Sequence, residues 1–66
     1  MSYGEILKDL RGNTPIGEVA EAVGVSKSAM HMYERSERRP RDEVKVRIAE
    51  YYKTTVEAIF YALNEH

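Results

Sequence analysis

Three residues, Gly24-Val25-Ser26, connect two helical segments, and this short link restricts the fold more than any other feature of the sequence. Before the link, apolar residues from Ile16 to Val23 follow the i, i+3, i+4, i+7 spacing of one helix face. After it, a second helical spacing is formed by Ala29, Met30 and Tyr33. A link of three residues cannot lay two helices flat and antiparallel, so it predicts that they cross steeply.

The steep crossing makes three demands on the residues around it. The turn needs a residue that accepts a positive φ, and Gly24 does so without steric cost. The first helix needs a small side chain where the second helix crosses it, which Ala20 supplies. The angle between the helices must be filled by apolar side chains, and those in position are Val19, Val23, Val25, Met30 and Tyr33.

The rest of the chain is also helical in its periodicity, and no segment alternates as a strand does. Three further stripes share this spacing: Tyr3, Ile6, Leu7 and Leu10; Val44, Ile48 and Tyr52, helped by Ala49 and Tyr51; and Val56, Ile59, Phe60 and Leu63. Sixty-six residues leave room for one domain. The sequence therefore predicts a compact all-α domain of five helices over residues 1–66.

Capping residues indicate where the first two helices begin and end. Ser2, with Glu5 three residues later, has the form of a capping box. Gly12 tolerates the left-handed backbone that ends a helix. Thr14 followed by Pro15 predicts an N-cap and then the first helical position, where the missing N–H of proline is harmless.

The remaining helix ends are less sharply marked. The third helix is expected over about residues 26–35, with serine as its N-cap. The fourth should start near Arg41 or Asp42, and Thr54 or Thr55 should cap the fifth, with a further possible capping box from Thr54 to Glu57.

The net charge of −1 conceals a segregated distribution of charges. Residues 26–41 hold five bases against two acids, a net +3, whereas the remainder holds five bases against nine acids, a net −4. A basic segment of this kind is typical of a surface that faces a polyanion, but a solvated arginine-rich loop has the same composition. Charge alone does not decide between them.

Catalysis, metal binding and membrane insertion find no support in the composition. The chain has no cysteine, and its two histidines, His31 and His66, lie far apart in sequence. No apolar run approaches the roughly 20 residues that span a bilayer. We therefore expect no enzyme activity, no cofactor, no metal and no membrane partner, and a cytoplasmic location.

The segment EVAEAVGVSKSAMHMYERSERRP, Glu18 to Pro40, resembles the Cro and lambda-repressor type of helix-turn-helix regulators (the xenobiotic response element family). The family pattern runs Leu-Ala, then Gly-hydrophobic-Ser, then a variable helix that ends in an aromatic or aliphatic residue followed by Glu, and later Pro. The matching residues here are Val19-Ala20, Gly24-Val25-Ser26, Tyr33-Glu34 and Pro40. The resemblance continues through RIAEYYKTTVEAIF, Arg47 to Phe60, and thus covers nearly the whole chain.

Two positions depart from the family pattern. The second helix often starts with a glutamine that contacts a phosphate, whereas this chain has Ile16, whose spacing assigns it to the core. Ser36 stands where a glycine is frequent after the third helix, so the end of that helix is expected to use a different geometry.

The resemblance implies a lambda-repressor-like fold and a dimeric regulator, from a bacterium or a phage, that places its third helix in the DNA major groove. A repressor acting on a palindromic operator is the favoured function. The expected base contacts are Lys27, Ser28, His31 and Met32. The expected phosphate contacts are Ser26, Arg35, Arg38, Arg39 and Arg41.

Each of these assignments has a plainer alternative. Lys27, Ser28 and His31 are also what a solvated helix face contains, and Met32 also suits a core or dimer contact. One or two of the arginines are expected to pair with Glu34, Glu37 or Asp42 instead of DNA.

The expected partners are a double-stranded DNA operator and a second copy of the chain, with a regulatory protein as a further possibility. Val46, Tyr61 and the C-terminal end lie off the core stripes and are the candidates for a dimer surface. The alternative function is a protein-interaction module, antitoxin-like or antirepressor-like, on the same fold.

Overall fold

The structure, a computed structural model, describes residues 2–61 as four α-helices followed by a π-helical segment. These elements are α1 (Tyr3–Arg11), α2 (Ile16–Val23), α3 (Lys27–Glu34), α4 (Asp42–Tyr51) and the π-helical segment Glu57–Tyr61. The described residues contain no strand. The predicted all-α class with five helical elements is confirmed, and Leu63 lies outside the described residues.

The predicted capping box at the start of α1 is present. The backbone N–H of Glu5 donates to Ser2 Oγ at 3.2 Å, and the backbone N–H of Ser2 donates to Glu5 Oε1 at 3.0 Å. Gly12 ends the helix with a φ of 56°. These local features follow from side chains within one turn of each other, which is why the sequence was sufficient to predict them.

The start of α2 differs from the prediction by one residue. Pro15, not Thr14, occupies the N-cap position, no side chain caps the helix, and the first helical residue is Ile16. The carbonyl of Thr14 accepts a hydrogen bond from Arg11 Nη1 at 2.9 Å, so it is occupied outside the helix. The carbonyl of Pro15 instead accepts the first helical bond, from the N–H of Glu18 at 3.0 Å.

The start of α4 at Asp42 agrees with the prediction, and Thr55 provides the cap of the last segment. The hydroxyl of Thr55 accepts from the backbone N–H of Ala58 at 3.1 Å. The backbone N–H of Thr54 donates to the carbonyl of Ala49 at 2.9 Å and so closes the end of α4 instead.

One apolar core occupies the space between the helices. Its fully buried large side chains are Leu7, Val19, Val23, Met30, Ile48 and Ile59. Helix α1 packs on α3 and on the π-helical segment, and α2 packs on α3 and α4. Leu10, at the end of the stripe predicted for α1, is 40% exposed and contributes less than its spacing indicated.

Two charged side chains, Glu34 and Lys45, are buried with this core. Lys45 Nζ donates to the hydroxyl of Tyr61 at 2.9 Å and lies 3.5 Å from Asp42 Oδ1. The hydrogen bond to Tyr61 raises the pKa of Lys45 above its ordinary value, and the same bond lowers the pKa of Tyr61. Lys45 thereby ties α4 to the π-helical segment.

Within residues 2–61, no helix is long and apolar enough to cross a membrane.

Candidate nucleic-acid interface

The turn between α2 and α3 has the backbone conformation that its glycine allows. Gly24 has a φ of 88°, and the N–H groups of Gly24 and Val25 both donate to the carbonyl of Ala20, at 2.8 and 3.0 Å. Of the side chains predicted to fill the angle between the helices, four are buried and Val25 is half-buried; the buried four are Val19, Val23, Met30 and Tyr33. Ala20, the small side chain predicted at the crossing, is buried as well.

The outer face of α3 carries the predicted base-contacting residues. Lys27, Ser28 and His31 are exposed, and Met32 is half-buried at the border of this face. On the opposite side of the same helix, Met30 is fully buried. Helix α3 therefore has a polar side that faces solvent and an apolar side that lies in the core.

The N-terminus of α3 adds a positive end to this surface. Ser26 is the N-cap, and its Oγ accepts from the backbone N–H of Ala29 at 3.0 Å. The hydroxyl proton of Ser26 stays available to donate. The first N–H groups of a helix point out of its end with a partial positive charge, which favours an anion there.

An ion pair behind α3 attaches the helix to α1. Arg11 Nε and Nη2 donate to the two carboxylate oxygens of Glu34 at 2.7 and 3.0 Å, and Glu34 is only 4% exposed. The hydrogen bond to Glu34 raises the pKa of Arg11. The only partner predicted for Glu34 was an arginine of the basic segment, whereas its partner in the structure, Arg11, lies 23 residues away.

Helix α1 also approaches the end of α3 through a glycine. The backbone N–H of Gly4 donates to Ser36 Oγ at 3.2 Å, and a Cβ at Gly4 would collide with that oxygen and with the carbonyl of Glu34. No spacing rule singled out Gly4, because the requirement comes from a residue 32 positions away.

The prediction that the end of α3 uses a different geometry at Ser36 is wrong. Ser36 has a φ of 59°, the left-handed conformation in which a glycine is usually found. Its N–H donates to the carbonyl of Tyr33 at 3.1 Å, and that of Glu37 donates to the carbonyl of Met32 at 2.9 Å. The hydrogen bond from Gly4 to its hydroxyl helps to hold this conformation.

The predicted phosphate-contacting arginines have different environments. Arg38 and Arg41 are exposed, and Arg35 lies 3.5 Å from Glu37 in an exposed pair. Arg39 is engaged within the molecule, because its Nη2 donates to the carbonyl of Phe60 at 3.0 Å and its guanidinium lies 5.1 Å from the centre of the Tyr3 ring. Asp42 pairs with Lys45 and not with an arginine.

A further arginine, Arg47 of α4, reaches the end of α2. Its Nε donates to the carbonyl of Val23 at 2.7 Å. Sequence reasoning missed this residue because its partner lies 24 positions away and belongs to another helix.

Beside this contact the structure has a cleft of about 260 Å³, which we call the arginine cleft. Its lining consists of Gly24, Val25, Tyr33, Arg38, Arg39, Arg41, Glu43, Val44 and Arg47.

Comparisons with known proteins agree with this geometry. The model of a family described as a helix-turn-helix domain matches residues 2–59. Among solved structures, the fold is similar to that of the P22 c2 repressor protein, crystallised in complex with synthetic operator 9T in the presence of Tl⁺. That likeness has a TM-score of 0.89 at 22% identity and covers 92% of this chain and 96% of the other. No curated protein matches the sequence significantly.

These matches confirm the predicted resemblance to Cro and lambda-type helix-turn-helix proteins and the predicted fold class. They also agree with the expectation that the chain is not an enzyme.

Proposed function

This chain belongs to the helix-turn-helix domain family, and we propose that it is a DNA-binding transcription regulator that inserts α3 into the major groove. The observation that carries the proposal is the two-sided character of α3. Its inner side is held by the core and by the Arg11–Glu34 pair, while its outer side presents Lys27, Ser28 and His31 to solvent. A rigid helix with polar residues on its free face suits the reading of base edges.

The proposed base contacts follow from the chemistry of that face. Lys27 and Ser28 lie in the first turn, where Lys27 suits the guanine acceptors O6 and N7, and Ser28 suits several bases. His31 lies one turn further on and is placed to donate to a base or a phosphate. Met32, at the half-buried border, suits an apolar contact with a thymine methyl group.

The proposed phosphate contacts flank that face. The hydroxyl of Ser26 retains a proton to donate at the positive end of α3. Arg38 and Arg41 are exposed in the connection between α3 and α4, and Arg35 lies at the end of α3. These groups would set affinity and register without reading sequence. Arg39 has one N–H engaged by the carbonyl of Phe60, which leaves its other donors for a phosphate.

We further propose that the chain acts as a repressor, as a homodimer on a palindromic operator, in the cytoplasm of a bacterial host. The similar P22 c2 protein is named a repressor and was crystallised with an operator. Val46 and Tyr61 are 46% and 41% exposed and offer apolar surface to a second copy. A two-fold dimer would place its α3 helices about one helical turn, roughly 34 Å, apart. The C-terminal end lies outside the described residues.

Binding of random duplex DNA, measured by fluorescence anisotropy at several salt concentrations, tests DNA binding. We expect the logarithm of the association constant to fall linearly with the logarithm of salt concentration, since bound phosphates release counterions. An association constant that does not change with salt concentration, or no binding at low salt, would contradict the proposal. Selection of operators from a random DNA pool would then test the two-fold symmetry and the half-site spacing.

Two alanine variants separate base reading from phosphate neutralisation. Lys27→Ala should change sequence preference and cost about 1–3 kcal/mol on the best site. Arg38→Ala should weaken binding to all sequences about equally and reduce the salt slope by about 1. If Arg38→Ala altered base preference and Lys27→Ala did not, the proposed orientation of α3 would be wrong.

A protein-interaction module is the second candidate function. The observation that favours it is the burial of Ile16, 7% exposed, where the family often has a glutamine that contacts a phosphate. A module of this kind would bind a regulatory protein and show no salt-dependent affinity for duplex DNA, so the same anisotropy measurement distinguishes the two functions.

A further inference from the structure

The arginine cleft concentrates positive charge in a partly enclosed space. Four of its nine lining residues are arginines, Arg38, Arg39, Arg41 and Arg47, and its one acidic residue is Glu43. None of these arginines forms a salt bridge within residues 2–61, whereas Arg11 and Arg35 do. Like charges that share a cleft repel one another, so an anion in it would lower their electrostatic energy.

Two of the four guanidinium groups are already held in place. Arg47 donates its Nε to the carbonyl of Val23, and Arg39 donates its Nη2 to the carbonyl of Phe60. A guanidinium has five N–H donors, so each of these groups keeps four that are not used in its carbonyl bond. A ligand that binds to positioned donors loses less conformational entropy on binding than one that must order them.

The guanidinium of Arg47 lies against the α2–α3 turn at Gly24. A Cβ at Gly24 would lie 3.9 Å from Arg47 Nε and 4.0 Å from Nη2, so the guanidinium lies directly against the turn. Val25, which lines the cleft, lies two residues before the first residue of α3. The cleft therefore joins the α2–α3 turn to the connection before α4.

We propose that the arginine cleft is a binding site for a phosphate group, with Arg47 as the residue that links it to the α2–α3 turn. Guanidinium groups match phosphate in shape and bind it through paired N–H donors, which is why arginine is favoured for this anion. The phosphate has two possible sources: the DNA backbone beside the half-site, or a free phosphate-bearing small molecule. The first source rests on the proposed function, whereas the site itself does not.

The site is tested without DNA by titrating inorganic phosphate into the full chain, with sodium chloride at matched ionic strength as the reference. Binding is followed by calorimetry and by the NMR signal of Arg47 Nε–H. We expect saturable binding and a shift of that signal. Arg47→Gln should weaken phosphate binding about ten-fold, since it removes a charge-assisted contact.

Lys8→Gln is the matched control, because it removes the same charge from an exposed position on α1. It should leave phosphate affinity unchanged. Arg41→Gln, on the other wall of the cleft, should weaken phosphate binding as Arg47→Gln does, without removing the bond to Val23. If both cleft variants bound phosphate as Lys8→Gln does, or if phosphate acted no differently from chloride, the proposal would be overturned.

The salt dependence of DNA binding distinguishes the two possible sources of the phosphate. If a backbone phosphate occupies the cleft, Arg47→Gln should reduce the salt slope for duplex DNA by about 1, while Lys8→Gln leaves it unchanged. If the slope stays the same and inorganic phosphate still binds, the ligand is a free phosphate compound. Phosphate binding without any DNA binding would support the arginine cleft as a phosphate site and contradict the proposed function.

Discussion

At the scale of single residues, the Arg11–Glu34 pair shows how much a buried charge depends on its partner. Glu34 is 4% exposed, whereas the side chain of Arg11 is 23% exposed. An ionised carboxylate without a partner at that depth loses its hydration and gains nothing in return. The two partners of the pair are therefore unequal, and substitutions of them should differ in cost.

We expect Arg11→Met to lower the free energy of unfolding by about 3 kcal/mol, because it leaves Glu34 charged and buried. Glu34→Gln should cost less, because Arg11 is closer to solvent. Urea denaturation of both variants and of the double variant measures the effect. Equal costs for the two single variants, or strict additivity in the double variant, would contradict the account.

Tyr52 provides a second prediction, in the alkaline range. Its hydroxyl is buried and has no hydrogen-bond partner within residues 2–61. Burial, and then the charge of Glu34, raise the pKa of Tyr52 to about 12. The folded chain therefore keeps this proton between pH 10 and 12 while the unfolded chain releases it, so stability is intact below pH 10 and falls as the pH rises through this range.

Tyr52→Phe should remove that fall, which amounts to about 2 kcal/mol, and should be neutral or stabilising by about 1 kcal/mol at pH 7. Thermal unfolding at a series of pH values between 7 and 12 provides the measurement. Tyr51→Phe, at the adjacent and half-buried position, is the control for the loss of one hydroxyl. An unchanged alkaline loss in Tyr52→Phe would show that other groups cause it.

At the scale of the helices, two glycines occupy equivalent positions, each second in its helix, but have opposite surroundings. A Cβ at Gly4 of α1 would meet the carbonyl of Glu34 and the hydroxyl of Ser36 at less than contact distance. A Cβ at Gly17 of α2 would meet only Lys27 Cδ, at 3.9 Å, an ordinary van der Waals contact. The approach of α1 to α3 thus requires a glycine, and the start of α2 does not.

The same substitution should therefore have opposite effects at the two sites. Gly4→Ala should destabilise the chain by about 1–3 kcal/mol, because α1 must move away from α3. Gly17→Ala should stabilise it by about 0.5–1 kcal/mol through helix propensity and a less flexible unfolded chain. Chemical denaturation of the two variants tests the pair. A stabilising Gly4→Ala would rule out the close packing of α1 on α3.

At the scale of the whole molecule, the proposed function gives the separation of charges a role in the approach to DNA. The segment from 26 to 41 carries a net +3 against a net −4 for the rest of the chain. The acidic part includes Glu5 and Asp9, which lie exposed on α1. An uneven distribution of this kind orients a protein toward a polyanion and limits non-specific contacts by its other faces.

Neutralising two of these acids tests the role of the distribution. Glu5→Gln combined with Asp9→Asn should raise the affinity for random duplex DNA about two- to three-fold at low salt, and the difference should vanish at high salt. Glutamine at position 5 can still accept the capping bond from Ser2, so the helix start is retained. A lower affinity, or a difference independent of salt, would contradict this role.

The short-range features of the chain could be predicted from its sequence. The capping box of Ser2, the left-handed Gly24 and the N-cap Ser26 each depend on atoms within one helical turn. The stripe of α2 and the polar outer face of α3 follow from helical periodicity, which places residues on opposite sides before any packing is known. The helix-turn-helix arrangement followed from these features together with the length of the link.

Only the tertiary structure decided which distant residues meet. Arg11 with Glu34, Arg47 with Val23 and Gly4 with Ser36 are separated by 23, 24 and 32 positions, and no periodic pattern encodes such pairs. The arginine cleft exists for the same reason, since it forms where α4 and the connection before it fold back on the α2–α3 turn. The sequence by itself determined the helices and the side of α3 that stays exposed, because those depend on local geometry. The packing of the helices determined which charges are paired and which remain free to meet a ligand.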